Sequence, residues 1–331
     1  MNVGEAGSSL VRYFNSFIAS LIALSVILAC ETADSRGPQS QSTIFSQPWN
    51  SGRNAGEPAF HVQQIDTNTL AIRQSLRTTF EAPFMYLIFG EEKALLIDTG
   101  VEGVDLRAEI DKQIENWLAR TGRGTLSLVV MHTHGHGDHV GGDAGFEGRP
   151  DTVVIGHAPE DVAAFFGLNN WPTQTTLFNL GNREVELLPT PGHHESHVMV
   201  FDKTTGVLFS GDVIYPGRLY FQCGKTLEFK SSIDRVVTFA STHDVTWLLG
   251  GHIEMKVRLG KSFNSQQASR TGEHLLELPV SIITEIKVGL SEMGGAPRVT
   301  QFDEFMLFPH PVDPTGMSPP DWCKDDIEQK N

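Results

Sequence analysis

The chain is poor in cysteine, in positive charge and in long apolar runs, and each shortage removes a class of explanation. Only 3 of its 331 residues are cysteine, and none stands near the histidine-rich segment at 134–139. A metal bound there would be held by imidazole and carboxylate, a set that suits Zn²⁺ or another borderline divalent ion such as Fe, Mn or Co. Lys and Arg number 25 against 40 Asp and Glu, a formal net charge of −15. That balance opposes binding to a phosphate backbone, so no nucleic-acid partner is expected. The apolar run at residues 17–29 falls short of the ~20 residues that span a bilayer comfortably, and has the length of a signal peptide. No internal repeat of short period is visible.

The N-terminal run ends at Cys30, and Ile27-Leu28-Ala29-Cys30 resembles the bacterial lipobox, in which the cysteine receives a lipid. That resemblance implies export to the periplasm or cell envelope, with a membrane anchor through a lipidated Cys30. The charged region before the run is weak, with Arg12 as its only base and Glu5 opposing it. Residues 30–58 are rich in Ser, Gln, Gly and Pro and read as a flexible tether. The expected organisation is therefore a signal segment at 1–29, a tether at 30–58, a folded domain at 59–258 and a C-terminal extension at 259–331. In an oxidising compartment Cys223 and Cys323 could pair.

What the chain does have is concentrated at 133–142, Thr-His-Gly-His-Gly-Asp-His-Val-Gly-Gly. His134, His136, Asp138 and His139 lie within six positions. They follow Leu126–Met131, a β-branched apolar run that reads as a buried strand. Gly135 and Gly137 are expected to let the turn take conformations that a Cβ would forbid, so that neighbouring ligands converge. His132 falls on the face of His134 if the strand runs straight through. Three more apolar segments end in comparable residues: Thr190-Pro191-Gly192-His193, Gly211-Asp212 and Gly250-Gly251-His252.

Together, His-x-His-x-Asp-His at 134–139, Thr-Pro-Gly-His at 190–193, Gly-Asp at 211–212 and Gly-His at 251–252 resemble the metallo-β-lactamase superfamily over roughly residues 59–258. The resemblance implies that His134, His136 and His193 hold one divalent ion, that Asp138, His139 and His252 hold a second, and that Asp212 bridges them, the ions expected being Zn²⁺. Asp98 matches the family's early aspartate and would orient a ligating imidazole; His197 would stand behind the ligands rather than bind. Two ions roughly 3.5–4 Å apart can share a water, lower its pKa and polarise the bond it attacks. The implied reaction is hydrolysis of an ester, thioester, lactone or lactam in a small-molecule substrate by a metal-bridging hydroxide, with Asp138 managing the proton. Tyr215 stands where similar lactonases carry a phenol that steadies the oxyanion. Arg218 either pairs with a substrate carboxylate or ties the loop down. Asp212 resembles the glyoxalase II and lactonase type of site, although nothing in the chain matches the basic residues with which glyoxalase II enzymes grip glutathione. His194, Glu195 and Ser196 depart from the family pattern. The alternatives are a single-iron persulfide dioxygenase, a β-lactamase and a non-catalytic metal-binding module.

Strands are expected at 61–65, 69–73, 85–89 and 94–98, and helices at 106–120, 159–166 and 230–241. The alternation predicts two sheets with helices outside, an α/β fold of the four-layer αββα type. A further helix over 272–293, kinked at Pro279, would form the extension.

Overall fold

The computed structural model describes residues 44–294 and 297–310, together with Met1. The expected signal segment, Cys30, the first part of the tether and Cys323 lie outside the described residues. Among those described, no helix is long and apolar enough to cross a membrane.

The first sheet runs in the order β1 (Phe60–Asp66), β2 (Thr69–Gln74), β3 (Phe84–Phe89), β4 (Lys93–Ile97), β5 (Ser127–Met131), β6 (Thr152–Val154). Its first four strands pair antiparallel, and β4–β5–β6 pair parallel. The second sheet is built from β7 (Thr176–Asn179), β8 (Glu184–Pro189), β9 (Val198–Asp202), β10 (Val207–Gly211), β12 (Trp247–Gly250) and β13 (Glu277–Pro279), in the order β13-β12-β10-β9-β8-β7. Strand periodicity decides which residues face which layer. In β3, Phe84, Tyr86 and Ile88 meet Val200, Phe209 and Leu249 of the second sheet in the central core. The intervening Met85, Leu87 and Phe89 face outward.

That outer face is covered by α1 (Leu106–Thr121), whose Leu106, Ile110, Ile114 and Trp117 are buried. Each contributes about 1.5–3 kcal/mol of burial before conformational entropy is charged. The Asp105 carboxylate caps its start by accepting from the Ala108 N–H, and Gly122 ends it in a left-handed turn at φ 69°. Helix α3 (Pro159–Phe166) follows β6, and on the outer face of the second sheet lie α4 (Thr226–Thr242) and α5 (Ile282–Met293). The αββα layering follows. A buried cation joins the two sheets at the end of β9 remote from the ligand loops: Arg183 donates to the Asp202 carboxylate, to the carbonyls of Asn68 and Phe89 and to Thr69 Oγ1.

Two boundaries need correction. Residues 44–58 belong to the segment expected to be a flexible tether, yet they pack: Phe45 is buried, and Trp49 meets the rings of Phe45, His61 and Phe84 edge-on. Polar composition concealed two aromatic anchors. The C-terminal part is likewise no appendage. The helix begins at Ile282 rather than 272, and Pro279 ends strand β13, pairing opposite Trp247 at the edge of the second sheet, a place where proline is tolerated. A third sheet, β11 (Arg218–Gln222), β15 (Met306–His310) and β14 (Thr300–Gln301), completes that side. Cys223, just after β11, is disulfide-bonded; the chain's other two cysteines both lie outside the described residues.

Candidate metal centre

Sheet register brings the ligand loops together. β4 and β5 pair parallel with Ile97 opposite Met131, so Asp98 and Thr133 leave adjacent strands at the same rim. β10 and β12 pair parallel with Gly211 opposite Gly250, which sets Asp212 beside His252. His193 follows β8, and Asp138 and His139 sit on α2 (Gly137–Val140), a single turn.

Two groups of ligand atoms result, His134–His136–His193 and Asp138–His139–Asp212–His252, each within 4.8 Å. In the first, His134 Nε2 lies 2.8 Å from His136 Nδ1 and 3.2 Å from His193 Nε2, and the latter two nitrogens are 3.1 Å apart. Nitrogens about 2.0 Å from a tetrahedral ion stand about 3.3 Å from one another, so this triangle is close to one face of such a shell. In the second, Asp138 Oδ2 lies 3.2 Å from His252 Nε2 and 3.5 Å from His139 Nε2. Asp212 touches both groups: Oδ1 is 3.5 Å from His139 Nε2, and Oδ2 is 3.4 Å from His252 Nε2 and 3.8 Å from His193 Nε2.

In three of these imidazoles the nitrogen facing away from the cluster is spoken for. His193 Nδ1 donates to the Tyr220 carbonyl at 2.8 Å, and His252 Nδ1 to the Glu81 carbonyl at 3.0 Å. His139 Nδ1 donates to Asp98 Oδ2 at 2.8 Å, while Asp98 Oδ1 accepts from the Thr133 N–H at 2.6 Å. Each bond fixes a tautomer and turns the other nitrogen's lone pair into the pocket. His197 uses both nitrogens otherwise, Nδ1 with Thr190 Oγ1 at 2.8 Å and Nε2 accepting the Asp212 N–H at 3.2 Å. It therefore steadies Asp212 and has no lone pair left for an ion.

A divalent ion fits this donor set on two observations. His139 Nε2 and Asp212 Oδ1 are buried without any hydrogen-bond partner, a costly state unless something else satisfies them. Burial also holds His134 and His193 below the usual histidine range, His193 down to about 4, so both imidazoles stay neutral. Burial would do the same to His139 and His252, but the carboxylates of Asp138 and Asp212 outweigh it and raise both. A group that must then lose a proton to bind metal gives metal uptake a proton-release signature.

The glycine that matters most is not one of the two expected. Gly135 and Gly137 do not enter the left-handed region; a Cβ on Gly137 would meet nothing, while one on Gly135 would lie 3.0 Å from His157 Nδ1 and 3.2 Å from His194 Cε1. Gly251 is the crowded position, since a Cβ there would come within 2.3 Å of Asp212 Oδ1. The backbone strain falls on Asp98 itself, at φ 66°.

Tyr215 also differs from expectation. Its hydroxyl contacts the Arg218 carbonyl and Glu254 Oε2, so its single proton is committed to protein acceptors rather than to a developing oxyanion. Arg218 ties the loop down through Glu254 Oε1 at 3.0 Å and the Phe263 carbonyl at 2.5 Å. His132 faces Asp143, with Nε2 2.8 Å from its carboxylate, and joins neither ligand group. Sequence reasoning missed the carbonyls of Glu81 and Tyr220, which carry no side-chain signal. A cavity of about 590 Å³ opens on the cluster, its wall including Phe80, Tyr220, Phe221 and Arg270 besides the ligands.

A two-sheet sandwich with paired His/Asp groups at its strand ends can hold divalent ions. Residues 78–223 match the family model described as Metallo-beta-lactamase superfamily. Residues 78–223 thus carry a domain of that superfamily, and the relatives that the chain resembles are named as hydrolases. Acyl-coenzyme A thioesterase MBLAC2 of Bos taurus is 26% identical over 204 residues, covering 51% of this chain and 72% of that protein. Hydroxyacylglutathione hydrolase of Chelativorans sp. (strain BNC1) is 28% identical over 137 residues, 40% of this chain and 52% of that enzyme. The chain thus spans about half the length of that second relative. Among solved structures, a metallo-beta-lactamase from Pontibacter korlensis aligns with a TM-score of 0.45 and 16% identity, over 70% of this chain and 99% of that one.

Proposed function

We propose that the protein is an exported, dinuclear metal-dependent hydrolase that cleaves a thioester, ester or lactone, with a thioester as the preferred class. The observation that carries this reading is Asp212, whose two oxygens reach both ligand groups. Two Zn²⁺ ions held there would supply an acidified water and a Lewis acid for the scissile carbonyl. The chain's own residues do the rest. His134, His136 and His193 would hold one ion, and Asp138, His139 and His252 the other. Asp138 lies at the cavity wall between His139 and His252, where its carboxylate can receive the proton shed by the attacking water. Asp98 and His197 keep His139 and Asp212 in place. The names of two relatives favour an acyl–sulfur bond. Export is supported by the lipobox-like Ile27–Cys30 and by the disulfide at Cys223, which suits an oxidising compartment.

The test is a panel of thioester, ester, lactone and β-lactam substrates offered to the zinc-loaded protein. Thioester hydrolysis is expected, falling about 100-fold or more in Asp212→Ala. Turnover of none of them, or near-parent rates in Asp212→Ala, would overturn the reading. Oxygen uptake on a persulfide with one bound iron would replace it with the dioxygenase alternative.

A further inference from the structure

Arg270 is a buried cation with no assigned task. It is 2% exposed, yet it forms part of the cavity wall that also presents His193, Asp212 and His252. Its Nη1 donates to the Ile253 carbonyl at 2.8 Å, and its Nη2 to the carbonyls of Phe80 at 3.0 Å and Ser265 at 3.4 Å. Nε has no acceptor. Carbonyls supply hydrogen bonds but no compensating charge, and a guanidinium taken out of water without a counter-ion is costly.

The acids that might serve are engaged elsewhere. Glu273 is held bidentate by Arg73 at 2.6 and 2.7 Å, and Glu254 is paired with Arg218 at 3.0 Å. Among the described residues no acidic side chain forms an ion pair with Arg270. Burial accordingly lowers the Arg270 pKa from its ordinary value; Glu273 and Glu254 work against that at a distance, while Arg73 and Arg218 add to it. The other acid in the wall, Glu81, stands near the ligand carboxylates: burial and then Asp138 raise its pKa. The cavity wall therefore holds both the acidic, metal-holding cluster and one buried guanidinium, with Phe80, Tyr220 and Phe221 beside them in the lining.

We propose that Arg270 reads an anionic group on the substrate, a carboxylate or a phosphate, joined to the scissile carbonyl by a short apolar spacer. This names the substrate class of the hydrolase proposed above and rests on that site. With both Nη atoms already donating to carbonyls, the donor left over is Nε–H; the guanidinium's charge favours a carboxylate or phosphate over a neutral polar group, and the ligand would supply the counter-charge that the fold withholds. Aromatic walls suit a spacer of a few carbons.

Binding to the zinc-loaded full chain tests this without turnover. Calorimetric titrations compare succinate, glutarate and adipate with butyrate, valerate and caproate, their matched monocarboxylates. One carboxylate of each engages the metal end, and only the diacids carry a second anion for Arg270. At least one diacid is expected to bind 10-fold or more tighter than its partner. That excess should fall to within twofold in Arg270→Gln and be partly kept in Arg270→Lys, with circular dichroism confirming that each variant folds. Repeating the titrations with phosphonate-terminated analogues separates phosphate-bearing from carboxylate-bearing substrates, the tighter binder naming the group. No diacid advantage in the parent protein, or an undiminished advantage in Arg270→Gln, overturns the inference. Thioester hydrolysis without a diacid advantage would sink this inference alone. An Arg270-dependent advantage without any hydrolysis would sink only the proposed reaction.

Discussion

Replacing Asp98 with Asn removes one charge from behind the metal centre while preserving the shape of the side chain. The backbone at Asp98 has φ 66°, a region that Asn tolerates and Ala does not, so Asp98→Asn isolates the electrostatic effect from backbone strain. The carboxylate accepts three short hydrogen bonds: the Thr133 N–H at 2.6 Å, Thr133 Oγ1 at 2.9 Å and His139 Nδ1 at 2.8 Å. An amide has one acceptor oxygen, so its NH₂ must face either the Thr133 N–H, in the place of Oδ1, or the His139 N–H together with the Thr133 hydroxyl, in the place of Oδ2. Leaving one such buried donor unsatisfied costs about 1–3 kcal/mol of stability. The His139 imidazole also loses the anion that makes its Nε2 a better ligand, and removal of such a partner typically lowers metal affinity about 10–100-fold. Competition with a zinc-binding dye should show the more weakly held ion leaving at correspondingly higher free zinc. Urea denaturation of the metal-free protein reads the stability term separately. If Asp98→Asn held both ions as tightly as the parent, the hydrogen bond to His139 would have no part in metal binding and the reasoning would fail.

Tyr215→Phe should leave thioester turnover within about threefold and cost about 0.5–1.5 kcal/mol of stability, since the lost bonds are to Arg218 and Glu254; a 100-fold fall in kcat would restore the oxyanion role. Gly251→Ala should fold but bind less metal, because its methyl group would press on Asp212 Oδ1. Metal analysis after dialysis reads the loss, and full metal content would contradict the packing argument.

Much of the fold was legible because apolar alternation and turn residues report on layers that exist in one dimension before they pack. The helix starting at Leu106 was readable from the spacing of its apolar residues alone. The helix over Pro159–Phe166 has the bounds expected from sequence. Residues 44–58 were misread because two anchors, Phe45 and Trp49, are diluted by polar neighbours. The segment around Pro279 was misread because its apolar pattern fits a helix and its pairing with β12 comes from 30 residues away in sequence. At the site, side-chain identities pointed to the cluster, but orientation did not follow from identity. Tyr215 stands at a spacing suited to catalysis and its hydroxyl is nevertheless tied to the loop. The carbonyls that aim His193 and His252 are invisible in any sequence, since every residue has one.

The most direct test is anomalous diffraction at the zinc edge from crystals of the zinc-loaded protein. Two peaks roughly 3.5–4 Å apart are expected, one among His134, His136 and His193, the other among Asp138, His139 and His252, with the Asp212 carboxylate between them. A single peak, or zinc lying away from Asp212, would contradict the account.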